Sequence, residues 1–410
     1  MADSRGPRLL MDLNNSFKRD PFIDEYDVLP VLEPKHNKSP FILENHKLGV
    51  EAWAVKVLLK YSINRLIGWR SRNPLEQFID PLDICNLSRA VLLFNPDNYT
   101  AWNIRKEFIE NGTLSLSDDL EFGALVLSKH PKSPETFIHR RWLFQQLLDH
   151  CLSSSSGSNA SCSGAAASNE EALVNMEAID VDIGAHQELG VRLNGAFSLE
   201  SSRLLKNQTV RELQVCTQAA ERYQCNYHAW SHRIWIIKHC LNCSLQVLVE
   251  ELETTKKWTS NHISDHSGFH FRQFLLRELQ NKRSRLQASH SIDCTSLILA
   301  EMEIVTDLIK CYPDHETLWY HRRYVFQELL KQEHIEEGIK WQKTKLSNLE
   351  GTRFSSEAII SDLCSQIISQ EVFLVESRKK NACKGLDYAL AKNYVHWLQS
   401  LLRERTRKSP

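Results

Sequence analysis

The sequence predicts an all-α fold, a right-handed superhelical crescent of stacked helical hairpins, and three observations carry that prediction. The first is a frame that recurs five times: an aromatic residue, two variable residues, an arginine, two more variable residues, then two apolar residues. The copies are Trp102/Arg105/Phe108-Ile109, Phe137/Arg140/Leu143-Phe144, Trp230/Arg233/Ile236-Ile237, Phe269/Arg272/Leu275-Leu276 and Trp319/Arg322/Val325-Phe326. In an α-helix these offsets fall on one stripe, so each copy aligns a ring, a guanidinium and two apolar side chains along a packing face. The second is that every copy follows a polar or proline-bearing turn that ends another apolar-periodic segment, so each unit is a hairpin. The third is the scarcity of glycine (14) and proline (12) in 410 residues, too few for the turns of an all-β chain.

Taken in order, residues 1–47 carry Pro7, Pro21, Pro30, Pro34 and Pro40 among mixed charges and predict an irregular leader. Residues 48–150 hold an amphipathic helix from Val50 to Ile67, a second from Leu82 to Phe94 stopped by Asn95-Pro96, and repeats one and two. Helices preceding the five frames are expected near 82–94, 118–129, 208–223, 244–257 and 296–311, with Asp or Asn of the junction turns as N-caps and proline tolerated in the first helical turn. Successive frame aromatics lie 35, 93, 39 and 50 residues apart, a hairpin-solenoid period with one large and one small insertion. The large one, 151–205, contains the Ser/Gly/Ala-rich run Leu152 to Ser168 and predicts a flexible loop; the small one is the polar stretch Asn281 to Ser296. Residues 206–330 hold repeats three to five. In 331–410, Phe354 to Glu376 and Asp387 to Leu402 read as helices that close the stack.

Composition narrows the function. Lys plus Arg (50) balances Asp plus Glu (51), so no basic field recruits nucleic acid. No apolar run is long enough to span a bilayer, the N-terminus has no signal-peptide core, and eleven scattered cysteines predict free thiols in a reducing, cytoplasmic compartment. There is no glycine-rich phosphate loop and no nucleophile elbow.

The runs Asn98-Tyr-Thr-Ala-Trp-Asn-Ile-Arg105 and Asn226-Tyr-His-Ala-Trp-Ser-His-Arg233 resemble the repeat of the protein prenyltransferase α-subunit family, over about residues 80–330. The resemblance implies a crescent wrapped around a separate β-subunit that carries the zinc ion and most of the active site, with no metal or cofactor bound by this chain. It implies as partners a β-subunit of the geranylgeranyltransferase type, the Rab type included, an isoprenoid diphosphate and an acceptor protein with a C-terminal cysteine. In the second repeat the family has a lysine that reaches the diphosphate, in a Pro-Lys-Asn-Tyr-x-x-Trp run. Here the run is Pro131-Lys132-Ser133-Pro134-Glu135-Thr136-Phe137, so Lys132 takes that place while Pro134 and Phe137 replace the tyrosine and tryptophan. Tyr227 matches a tyrosine near the diphosphate and serves equally well as a junction residue; Tyr99, its first-repeat counterpart, is expected to be structural. The rival reading is a non-enzymatic repeat adaptor, or an escort for prenylated proteins.

Two further patterns have structural explanations. His139, His232 and His321 each precede a repeat arginine, and recurrence points to packing or hydrogen bonding rather than metal binding, although His228 and His232 have a zinc-compatible spacing. Cys240-Leu-Asn-Cys243 lacks a second pair at finger spacing and reads as core cysteine. The C-terminal Arg407-Lys-Ser-Pro410 is not a prenylation box.

Overall fold

The structure is a computed structural model that describes residues 4–34, 38–71, 79–156, 199–285, 294–329 and 386–408. The chain divides into two compact units, Met1–Leu241 and Asn242–Pro410, so repeats one to three belong to the first and repeats four and five to the second. Both are built of α-helical hairpins.

The leader is not irregular. It forms helix α1 (Gly6–Arg19) and a three-stranded sheet of β1 (Glu25–Leu29), β2 (Phe41–Glu44) and β3 (Lys47–Glu51) in the order β1-β3-β2. The prolines mark its element boundaries: Pro7 sits in the first turn of α1, where a missing N–H costs nothing, Pro30 follows β1 and Pro40 precedes β2. Leu9, Leu13 and Ser16 give α1 its buried face. β1 runs parallel to β3 with Glu25 opposite Lys47, and β2 antiparallel with Phe41 opposite Val50. The β2–β3 hairpin turns on Asn45 and His46, both at positive φ (48° and 62°), a conformation that matches the twist of the flanking strands and that asparagine tolerates. Tyr26, Leu48 and Val50 are buried against α2 (Ala52–Arg70) and the helices that follow. The Tyr26 hydroxyl donates to the Leu93 carbonyl, and burial pushes its pKa far up.

The remaining helices of the first unit pair as expected: α3 (Pro81–Phe94) with α4 (Tyr99–Glu110), α5 (Leu116–Lys129) with α6 (Pro134–Ser156), and α7 (Leu199–Arg222) with α8 (Tyr227–His239). Asp80, Asn98, Ser115 and Asn226 cap α3, α4, α5 and α8 through their side chains. The second unit pairs α9 (Leu245–Asn261) with α10 (His266–Arg285) and α11 (Cys294–Cys311) with α12 (Glu316–Leu329). There α13 (Leu386–Lys408) packs Leu390, Ala391 and Tyr394 against Trp319 and Leu318.

The edges of the expected insertions are helical. α6 continues to Ser156 and α7 begins at Leu199, with Leu147 and Cys151 packed in one cluster with Leu205. The Ser/Gly/Ala-rich run lies outside the described residues beyond 156, as do 286–293 of the smaller insertion and the helix expected from Phe354 to Glu376. No helix among the described residues is long and apolar enough to cross a membrane.

Candidate functional site

The five frame aromatics, Trp102, Phe137, Trp230, Phe269 and Trp319, and the five frame arginines, Arg105, Arg140, Arg233, Arg272 and Arg322, are all buried. A guanidinium survives burial only if its donors find acceptors, and the repeat supplies them at fixed spacing. Arg105, Arg140, Arg233 and Arg272 each send Nη1 to a carbonyl twenty residues upstream, on Cys85, Leu120, Leu213 and Leu252. The Arg140 contact needs Gly123: a Cβ there would lie 2.8 Å from Nη1.

Three of these arginines also fork to a carboxylate on the next helix, which a histidine of the following repeat completes. Arg105 Nε donates to Asp119 Oδ1 at 2.7 Å, with Nη2 on the same oxygen, and His139 Nε2 reaches Oδ2 at 2.6 Å. Arg140 Nε donates to Glu212 Oε1 at 2.8 Å and Nη2 to Oε2, while His232 Nε2 donates to Oε1 at 2.6 Å. In the second unit Arg272, Glu301 and His321 repeat the pattern, with Nε–Oε1 at 2.8 Å and Nε2–Oε1 at 2.7 Å. Each histidine ring also lies against the frame aromatic of the preceding repeat: Trp102 with His139 at 4.3 Å, Phe137 with His232 at 5.3 Å, Phe269 with His321 at 4.9 Å. The recurrent histidines are thus hydrogen-bonding and packing residues.

These stitches hold charge in the core. Burial alone would raise Glu212, but the charge of Arg140 and hydrogen bonds from His232 and Arg140 outweigh it and hold the carboxyl at about 2. Glu301 is likewise held at about 2 against its burial, by Arg272 and His321. Arg141 Nε and Gln273 Nε2 donate to the Nδ1 atoms of His232 and His321, both at 3.3 Å, which leaves each Nε2 to face its carboxylate. His139 Nδ1 is buried and receives no donor among the described residues.

Sequence reasoning found the arginines and histidines and missed the carboxylates. The available signal was an acidic residue twenty positions before each histidine. Glu251 stands at the same distance before Phe271, where the fourth repeat has phenylalanine in place of histidine.

Glu212, Cys216 and His232 bring three ligand-type atoms within 4.8 Å of one another. Both Glu212 oxygens already face a guanidinium and a ring N–H, so the cluster does not fit a cation. Burial pushes the Cys240 thiol up to about 12, which leaves it protonated at neutral pH.

At the ends of the hairpins the chemistry changes. Ser133 Oγ accepts from the Thr136 N–H and contacts Asp97 Oδ1 at 2.6 Å. Pro134 is simply the first residue of α6, a position where it is tolerated. The buried Asn226 amide donates to the Pro131 carbonyl at 2.6 Å and to that of Ala219 at 3.0 Å, and its Oδ1 caps α8. The Pro131-Lys132 turn is thereby pinned beside the start of α8, and Lys132 and Tyr227 come to one edge.

Lys132 is exposed and Tyr227 is 65% exposed. The Lys132 ammonium lies 4.7 Å over the Tyr223 ring and 3.4 Å from its hydroxyl, and meets no carboxylate among the described residues. His228, edge-on to Tyr227 at 5.6 Å, has its pKa lowered by burial and then by the charges of Lys132 and Arg141, with Asp97 opposing. Tyr99 is also 65% exposed, so burial does not give it the structural role expected of it.

Repeating helical hairpins joined through buried arginines define an all-α repeat protein, and comparison with known proteins gives its family. The family model for the protein prenyltransferase alpha subunit repeat matches residues 84–112, 210–240, 248–279 and 298–329. Protein prenyltransferase alpha subunit repeat-containing protein 1 of Danio rerio is 40% identical over 340 residues, covering 78% of this chain and 71% of the relative. The Homo sapiens protein of that name is 37% identical over 345 residues, 78% of this chain and 76% of the relative. The geranylgeranyl transferase type-2 subunit alpha of Rattus norvegicus is 21% identical over 251 residues, 59% of this chain and 33% of that one. The chain belongs to the family of protein prenyltransferase alpha subunit repeat-containing proteins.

Proposed function

We propose that this chain is the α-type subunit of a heterodimeric protein prenyltransferase of the cytoplasm, supporting transfer of an isoprenoid, geranylgeranyl in particular, from its diphosphate to a cysteine of an acceptor protein. What supports the reading most is Lys132: at the family's diphosphate-facing position it is an exposed ammonium, held on a pinned turn and paired with no carboxylate among the described residues. The similarity to type-2 α-subunits points to a geranylgeranyltransferase β-subunit, the Rab type included, as partner.

Zinc on that partner would hold the acceptor cysteine as thiolate. The thiolate sulfur attacks C1 of the isoprenoid, the C–S bond forms, and the C–O bond breaks with its electron pair leaving on diphosphate. Lys132 contributes where that negative charge grows, and Tyr227 offers a hydroxyl on the same edge.

The chain is to be purified with candidate β-subunits and assayed for transfer of labelled geranylgeranyl and farnesyl groups to a cysteine acceptor. A stable complex with transfer activity is expected, and Lys132→Ala is expected to slow turnover without dissociating it. No transfer with any β-subunit would overturn the reading. The adaptor or escort reading draws on the second repeat, where Pro134 and Phe137 depart from the family and the family match is silent. It predicts acceptor binding when no β-subunit is present.

A further inference from the structure

The first two turns of α8 lie between two cations, only one of which has a counterpart in the family motif. Lys132 stands at the start of this helix because Asn226 holds the Pro131 carbonyl. Arg141, on α6, reaches the second turn: Nη2 donates to Ser231 Oγ at 3.0 Å and Nε to His232 Nδ1 at 3.3 Å. Ser231 is one helical turn from the exposed Tyr227, on the same face of α8.

Both acceptors of Arg141 are neutral. Arg105, Arg140 and Arg272 fork to buried carboxylates, and Lys129, Arg211 and Arg222 pair with Asp27, Glu121 and Glu25, whereas Arg141 has no carboxylate partner among the described residues. Asp97, which opposes these cations at His228, is itself hydrogen-bonded to Ser133. In a chain of almost zero net charge, the edge carries the positive end of α8 and two cations with no carboxylate partner among the described residues.

We propose that Arg141 is a second anion-binding residue that acts with Lys132 on the diphosphate group, the pair straddling the first turn of α8. A fork on one side and a point charge on the other suit a ligand with two phosphoryl groups. The inference rests on the diphosphate reading of this edge given above and adds a residue to it. Burial without a carboxylate lowers the Arg141 pKa, as expected of a guanidinium whose counter-ion is supplied from outside.

The test is binding of inorganic pyrophosphate to the full chain at low and at physiological salt. Wild type is expected to bind, Lys132→Ala and Arg141→Gln each to weaken binding roughly five- to tenfold at low salt, and both to flatten the salt dependence. Arg141→Lys, which keeps the charge, should lose less. Because Arg141→Gln also removes a bond to His232, the Arg141 Nε–H resonance, assigned with Arg141→Lys, is followed in the wild-type chain and should shift on adding pyrophosphate. Weakening by Lys132→Ala with no effect of Arg141→Gln and no resonance shift would overturn the role of Arg141 alone. No pyrophosphate binding by the wild-type chain would overturn both that role and the diphosphate reading of the edge.

Discussion

The buried seams between repeats and the exposed edge at the start of α8 use the same residue types to opposite ends. In the seams Arg105, Arg140 and Arg272 each meet a carboxylate that a histidine shares. At the edge Lys132 and Arg141 meet a phenol, a serine and an imidazole, and no carboxylate among the described residues. Satisfied charge inside a helical stack fixes register, while unsatisfied charge outside it is available to a ligand. The residues that recur in every repeat therefore report on architecture. The function proposed above is assigned instead to Lys132 and Arg141, which lie outside the recurring frame.

The comparison breaks most visibly in the seams. Arg140→Ala strands Glu212 in the core and is expected to cost roughly 3–5 kcal/mol, read by denaturant unfolding of the chain; a loss below 1 kcal/mol would mean the stitch is not structural. Acid should act on the same carboxylate. Glu212 is depressed to about 2 when folded from an ordinary value near 4.5, so its contribution is present above 4.5 and is lost as pH falls from there through 2. That contribution is on the order of 3 kcal/mol. His232, whose pKa burial also lowers, adds a loss in the same direction that begins below about 6.5. Glu212→Gln should be less stable at neutral pH and should flatten the slope between 4.5 and 2.

Smaller effects sharpen the contrast. Gly123→Ala pushes a methyl against the Arg140 guanidinium and should cost about 1–3 kcal/mol, while leaving the Lys132 turn intact. Asn226→Ala removes both the cap of α8 and the tie to Pro131, at about 0.5–2 kcal/mol, and should reduce function along with stability. Lys132→Ala, on the surface, should change stability by less than about 0.5 kcal/mol.

Much of this was readable beforehand. The period of ring, arginine and apolar pair located every frame helix, because one stripe must face a neighbour. Three features escaped. The prolines of the leader suggested an irregular segment, whereas Pro7, Pro30 and Pro40 fall at the boundaries of α1, β1 and β2, and the alternation Phe41-Leu43, Leu48-Val50 around Asn45-His46 carried the hairpin. The carboxylates Asp119, Glu212 and Glu301 sit on helices defined only by apolar spacing, so a single acidic residue there looks like surface until its partner twenty residues away is known. Arg141 follows an arginine that belongs to the frame, and its contacts with Ser231 and His232 on α8 had no signature in the spacing.

The most direct measurement follows thermal midpoint and isoprenoid-transfer rate side by side in complexes of the chain with its β-subunit, comparing Arg140→Gln with Lys132→Ala. A lowered midpoint is expected for the first, and for the second an unchanged midpoint with slowed transfer. A Lys132 variant that transfers at the wild-type rate, or an Arg140 variant that melts like wild type, would contradict this expectation.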